Sequence, residues 1–261
     1  MLKPRLWPWH LVVLAVVITF TQFGFWQLDR HGQKAAANAL LLERLAAEPE
    51  PLLAALGRYD PDAPDEAANA ATHRPVVFTG QFAADGGLLL RSQSYLDRPG
   101  YHAITPFKPD GSDQWILVDR GWVPYDLQAD IVTDWSPPSG PVRIEGRLMP
   151  ERDTPVGPLA VFAPRDPPTG PLETIARVDV DRLQPQYPQP LEPFYVQVSA
   201  IERLSGEAAS TGRLPIVRDA PEPDPGPHLG YAFQWFSFAI IGLVGYVLLL
   251  KSRLKQRQAD R

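Results

Sequence analysis

The chain reads as a membrane α-helical hairpin: two transmembrane helices bracket an extracytoplasmic, mostly β (α+β) domain with an antiparallel sheet or small barrel. Three observations predict this. Leu229 to Leu250 is a run of 22 residues without a charged side chain, about 33 Å as a helix and enough to cross a bilayer core. Leu11 to Leu28 is a second uncharged run of 18 residues, edged by Trp7, Trp9 and His10 on one side and Trp26 on the other. Between the runs, short β-rich stretches are divided by Gly and Pro, the texture of antiparallel strands rather than of alternating parallel units.

Flanking charge sets the orientation. Lys3 and Arg5 precede the first run, and Lys251, Arg253, Lys255, Arg257 and Arg261 follow the second, opposed only by Asp260. Between the runs, 18 Lys and Arg face 29 Asp and Glu, a net charge of −11. Positive flanks stay inside. The predicted segments are therefore a cytoplasmic N-terminus at 1–10, spans at 11–28 and 228–250, an extracytoplasmic domain at 29–227, and a basic cytoplasmic tail at 251–261. No tract resembles a mitochondrial transit peptide, so a bacterial plasma membrane is the expected location. A cleaved signal peptide with processing near Ala35 to Ala37 fits less well, because the apolar run is long and lies far from those alanines.

The 199 residues between the spans suit one domain with its own core. Cysteine is absent, which excludes disulfides, a thiolate metal site, thiol–disulfide exchange and covalent c-type haem attachment. With only Met1 and Met149 as thioethers, a soft copper site is excluded too.

In chain order, Gln27 to Glu48 has a helical pattern that continues the first span outward, and Pro49 and Pro51 mark its end. Residues 57–73 are polar and proline-containing and read as a loop. Strands are expected at Arg74–Phe82, Gly87–Ser92, Tyr101–Phe107, Gln114–Trp122, Val142–Met149, Thr174–Val180, Phe194–Ser199 and Leu214–Arg218, with Asp85-Gly86 and Asp110-Gly111 as turns. Thirty prolines, many in 136–171 and 185–227, imply long extended connections.

Three groups of residues can carry chemistry. In a helix, His228, Tyr231, Ala232 and Trp235 share one face. An imidazole above an indole, with small Ala232 between them, can accept a flat cofactor, and a neutral histidine nitrogen is an axial ligand for haem iron. The same pattern also describes a polar first residue and an interfacial tryptophan anchor, and spacing alone favours that plainer reading. Gln22 and Gln234 lie at equal depth, about 9 Å inside their spans, and are expected to hydrogen-bond and hold the hairpin closed. In Trp115-Ile116-Leu117-Val118-Asp119-Arg120-Gly121-Trp122-Val123-Pro124 both strand faces are mostly apolar. Arg120 there is expected in a structural ion pair or a carbonyl clamp, with ligand binding as the lesser reading. Ser92 or Ser94, His102 and Asp119 sketch a hydrolytic triad that no nucleophile-elbow pattern supports. His31 and His73 read as solvated and His10 as interfacial, and no catalytic activity is expected.

Several of these motifs together resemble the surfeit locus protein one family. Gly24-Phe25-Trp26-Gln27-Leu28 with Arg30 and Lys34 is similar to that family's exit from its first span. Arg74-Pro75-Val76, Thr79-Gly80-Gln81-Phe82, Gly100, Thr105-Pro106-Phe107, Asp110-Gly111 and Val118-Asp119-Arg120-Gly121-Trp122-Val123-Pro124 follow in order. Pro227-His228-Leu229, Tyr231-Ala232 and Gln234-Trp235-Phe236 resemble its entry into the second span. The proline-rich stretch Pro150 to Leu172 departs from the family pattern, so no role is carried over from it.

The resemblance implies an assembly factor, or chaperone, for haem–copper cytochrome c oxidase in respiratory chain biogenesis. It would assist delivery of haem a to subunit I or its stabilisation there. The resemblance puts the haem-contacting histidine at His228, as a transient iron ligand, and the helical-face tryptophan at Trp235, with Tyr231 beside them. Expected partners are oxidase subunit I, haem a synthase and membrane lipid, and no nucleic acid. A two-span scaffold or sensor without haem is the rival, although only about eleven residues follow Leu250 to serve as an output module.

Overall fold

The computed structural model describes residues 7–60, 62–125, 135–151, 163–205 and 214–259. Lys3, Arg5, Asp260 and Arg261, which carry part of the orientation argument, lie outside them, as does the Arg257 side chain. The chain forms two compact units, one from residues 1–42 with 222–261 and one from 43–221.

The first unit is a pair of helices. Helix α1 runs without a break over Trp7–Leu45 and the last helix, α5, over His228–Ala259. Both are long and apolar enough to cross a membrane. Their outward faces carry bare hydrophobes such as Phe233, 76% exposed, and Ile241, 66% exposed, a surface that water does not favour. The helical continuation expected after the first apolar run is present, since Gly32 costs only about 1 kcal/mol in a helix interior.

The second unit is a mixed sheet. After β1 (Glu50–Pro51), α2 (Leu52–Leu56) and α3 (Pro64–Ala71) come β2 (Arg74–Phe82), β3 (Leu88–Tyr95), β4 (Arg98–Pro109), β5 (Trp115–Pro124) and β6 (Val142–Pro150). Then follow β7 (Thr174–Ile175), α4 (Val180–Leu183), a 3-10 turn at Gln184–Gln186 and β8 (Leu191–Arg203). The hydrogen-bonded order β2-β6-β8-β5-β4 closes on itself because β4 also pairs β2, Phe107 to Pro109 against Gly80 to Phe82. This is a five-stranded barrel, with β1, β3 and β7 added at its margins. Five strands cannot alternate direction all the way round a closed ring, and the mismatch falls at β5–β8, which is parallel. The small-barrel alternative therefore holds, with this correction to a purely antiparallel sheet.

Closure depends on Gly80. Its φ is +153°, and a Cβ there would lie 2.1 Å from the Lys108 carbonyl oxygen, so only glycine lets β2 leave β6 and meet β4. Strand alternation then builds two cores. Val76, Phe78, Phe107, Ile116, Val118, Ile144, Leu148 and Val196, drawn from all five barrel strands, fill the interior. Leu88, Ile104, Leu117, Ile175, Leu183 and Leu191 form a second cluster under β3, β7 and α4. Each fully buried side chain of this size contributes about 1.5–3 kcal/mol. The double-sided apolar pattern of 115–124 follows, because Ile116 and Val118 face one core and Leu117 the other.

Three expectations need correction. Residues 57–73 include α3, for which Pro64 at the first turn and the run of alanines are good helix-starting chemistry. The strand expected over Thr174–Val180 stops at Ile175, because the Asp179 carboxylate accepts from the Arg182 amide and caps α4 instead. Leu214–Arg218 contributes one bridge, Ile216 to Trp122, and not a strand.

Candidate functional site

The hairpin is held by a seam with coiled-coil spacing. On α1 the covered or half-covered positions include His10, Val13, Val17, Phe20, Gly24, Gln27 and His31, a set spaced in alternating steps of three and four. On α5 they include His228, Ala232, Trp235, Phe236, Ala239 and Tyr246. At Gly24 the helices come so close that a Cβ would sit 2.5 Å from the Phe236 ring, the small-residue approach typical of membrane helix pairs.

His228 opens α5 at one end of this seam. Its Nδ1 lies 2.9 Å from Gln27 Oε1. A carbonyl oxygen only accepts, so Nδ1 is the donor in this contact, and in a neutral imidazole Nε2 then keeps its lone pair. This is the device by which proteins orient metal-binding imidazoles. The Nε2 edge is turned toward Gly226, whose Cβ, if present, would lie 3.2 Å from it. Among the described residues no group of three or more His, Cys, Asp or Glu is placed to hold a metal ion, so chemistry at this position rests on one imidazole.

Its companions are placed differently. Ala232 is 2% exposed, so the gap expected between imidazole and indole is covered by the other helix. Trp235 is half-buried, its ring 5.4 Å from that of Phe20, 5.0 Å from Phe23 and 6.0 Å from Phe238. It is one member of an aromatic cluster and not an open platform. Tyr231 sits on an outer face, 48% exposed. His228 and Trp235 thus share the seam, and Tyr231 does not.

The amide pair is a correction. Gln22 and Gln234 are both exposed, turned away from the seam. The polar clasp is instead Gln27 to His228. Gln27, 9% exposed, continues the three-four spacing through Phe20 and Gly24, and that periodicity was the signal available for it; equal depth was the wrong criterion. A second clasp joins His10 Nδ1 to the Tyr246 hydroxyl at the opposite end of the seam.

In the barrel, Arg120 makes no ion pair among the described residues. Its Nε donates to Thr105 Oγ1 at 2.9 Å and its Nη2 to the Trp135 carbonyl at 2.6 Å, and the guanidinium lies over the rings of Phe82 and Trp135. Burial pushes its pKa down to about 10 against the opposing charge of Asp119. The carbonyl clamp is the reading that holds. Asp119 pairs with His102, Oδ2 to Nδ1 at 2.8 Å, and its Oδ1 accepts from the Gly121 amide. Two members of the sketched triad do meet, yet among the described residues neither Ser92 nor Ser94 hydrogen-bonds His102. His31 and His73 are half-buried with their Nδ1 atoms enclosed, so neither is simply solvated.

The comparisons agree with this architecture. The model of the SURF1 family matches residues 14–240. An uncharacterized SURF1-like protein of Mycobacterium tuberculosis (strain ATCC 25618 / H37Rv) is 26% identical over 97% of this chain and 88% of its own. A SURF1-like protein of Rickettsia bellii (strain RML369-C) is 28% identical over 93% and 90%, and one of Monosiga brevicollis 26% over 92% and 87%. With the family model spanning both helices and the barrel between them, the chain belongs to the SURF1 family, the surfeit locus protein one family.

Proposed function

We propose that this protein is an assembly factor for haem–copper cytochrome c oxidase that holds haem a transiently through His228, on its way to or within subunit I. One observation carries the reading: His228 Nδ1 lies 2.9 Å from Gln27 Oε1 at the start of α5, the contact by which a neutral imidazole is oriented with Nε2 as its free donor. Family membership supplies the class of process. When bound, haem supplies an iron centre that accepts an imidazole nitrogen.

The chain's own residues do the rest. Gln27 orients the ring. Trp235, clamped by Phe20 and Phe23, keeps the helix face rigid below it, and exposed Tyr231 offers an aromatic edge on the outer side. An apolar tetrapyrrole with a hydrocarbon tail is costly to move through water, and a donor at the membrane edge lets it stay partly in lipid. Single ligation without a thiolate suits a carrier that must release its cargo. In this reading both termini are cytoplasmic, the barrel faces outward from a bacterial plasma membrane, and the partners are subunit I and haem a synthase. The protein works as a chaperone and not as an enzyme.

A second reading is a haem-free two-span scaffold. It is favoured by the covered Ala232 and the packed indole, which already serve to close the hairpin. Co-expression with haem a biosynthesis followed by absorption spectroscopy of the purified protein separates the two. A Soret band that disappears in His228→Ala supports the carrier, and a wild-type protein without haem supports the scaffold.

A further inference from the structure

Three arginines and a histidine gather where β2 begins and β6 ends, and among the described residues none forms an ion pair with a carboxylate. Arg147 of β6 is 6% exposed. Its Nη1 donates to Ser199 Oγ at 3.2 Å and its Nη2 to the carbonyls of Arg218 and Asp219 at 3.3 and 3.4 Å, while its Nε is enclosed without an acceptor. His73 lies beside it, its amide bonded to the Leu148 carbonyl at 3.0 Å and its Nδ1 also enclosed without a partner. Arg44 reaches the same turn, donating from Nη1 to the Thr72 carbonyl at 2.8 Å. Arg218, exposed, follows the bridge at Ile216 and joins through its own carbonyl.

Two features are costly unless something compensates them. A buried guanidinium without a carboxylate in contact is unfavourable: carbonyl acceptors satisfy its donors without neutralising it, and the charges of Asp119 and Asp219 offset its burial and the repulsion of Arg218 only in part. His73 has φ +62°, a left-handed conformation rare outside glycine and concentrated at functional sites. Carboxylates are not scarce: the net charge between the spans is −11, and nearby Glu50 pairs with both Arg58 and Arg74. Yet among the described residues no Asp or Glu forms an ion pair with Arg44, His73, Arg147 or Arg218. Burial and the charges of Arg147, Arg44 and Arg218 hold the His73 imidazole below its ordinary range. A plain clamp on residues 218–219 explains the two Nη contacts of Arg147 but neither orphan nitrogen nor the backbone of His73.

We propose that Arg44, His73, Arg147 and Arg218 form an oxyanion-binding site on the barrel, for the carboxylate or phosphate group of a ligand. Guanidinium groups match the geometry of both. The site is independent of the His228 reading and stands or falls without it.

The test uses full-length protein in detergent micelles, titrated calorimetrically with sodium phosphate, sodium acetate and sodium chloride at constant ionic strength. Wild type is compared with an Arg44→Gln/Arg218→Gln double variant, whose changes fall at a half-covered and an exposed side chain and leave Arg147 in place. We expect a saturable signal with phosphate or acetate and none with chloride, weakened about tenfold for each cation removed. Saturation by phosphate alone assigns a phosphate ester such as a lipid headgroup, and saturation by both assigns a ligand carboxylate. No saturable signal in wild type, or equal affinity in the double variant with an unchanged melting temperature, overturns the proposal.

Discussion

His102 and His228 make the same bond in opposite surroundings. Each uses Nδ1, at 2.8 Å to Asp119 in the barrel and at 2.9 Å to Gln27 in the hairpin. His102 is 3% exposed and its partner is a carboxylate whose other oxygen is also bonded. His228 is half-buried, opens a helix, and its partner is a neutral amide. The first arrangement stabilises a sheet and is committed to it. The second fixes a tautomer while leaving the ring free to act. A histidine's role is thus read from what holds its Nδ1 and from how far its other edge is covered.

The largest expected effect breaks this comparison at His102. His102→Ala leaves Asp119 buried without its partner and should destabilise the barrel by about 3–5 kcal/mol, measured by denaturant unfolding, while any haem bound at His228 persists in protein that still folds. His228→Ala should do the converse. It should cost only about 0.6–2 kcal/mol, the range for an interhelical hydrogen bond in a membrane, and abolish the haem spectrum. Gln27→Leu separates orientation from ligation: the imidazole stays, its tautomer is no longer fixed, and haem affinity should fall about 10–100-fold. Equal affinity in Gln27→Leu would remove the orienting role.

Smaller effects sharpen the picture. Gly24→Ala forces a methyl against the Phe236 ring and should cost about 1–3 kcal/mol of hairpin stability, whereas Gln22→Leu and Gln234→Leu, both on exposed faces, should fall within about 0.5 kcal/mol of wild type. The smallest effect concerns His73, faced by Arg44, Arg147 and Arg218. Its folded pKa lies below its unfolded value, so the unfolded chain takes up the proton first. Stability should therefore decline as pH falls through the ordinary histidine range near 6.5 and the decline should flatten in His73→Gln. A steeper decline in that variant would contradict the assignment.

Much of the fold was legible and the reasons are local. The two apolar runs, the Asp85-Gly86 and Asp110-Gly111 turns and β2 at Arg74–Phe82 follow from hydropathy and turn chemistry acting over a few residues. Barrel closure was not: it depends on Gly80 meeting Lys108 and on an odd strand count, facts about pairing that no short window contains. At the site, His228 was visible through the family motif and Gln27 stood within another motif, but their contact joins residues 201 apart. Trp235 was readable as an aromatic on the helix face; that Phe20 and Phe23 already grip it needed the register of the seam. The enclosed nitrogens of His73 and Arg147 depend wholly on tertiary packing.

The most direct test of the central claim is the visible absorption spectrum of wild-type, His228→Ala and His102→Ala proteins purified after co-expression with haem a biosynthesis. The account predicts a haem a spectrum in the wild type and in folded His102→Ala protein, and its loss in His228→Ala. Full haem occupancy in His228→Ala, or none in the wild type, would contradict it.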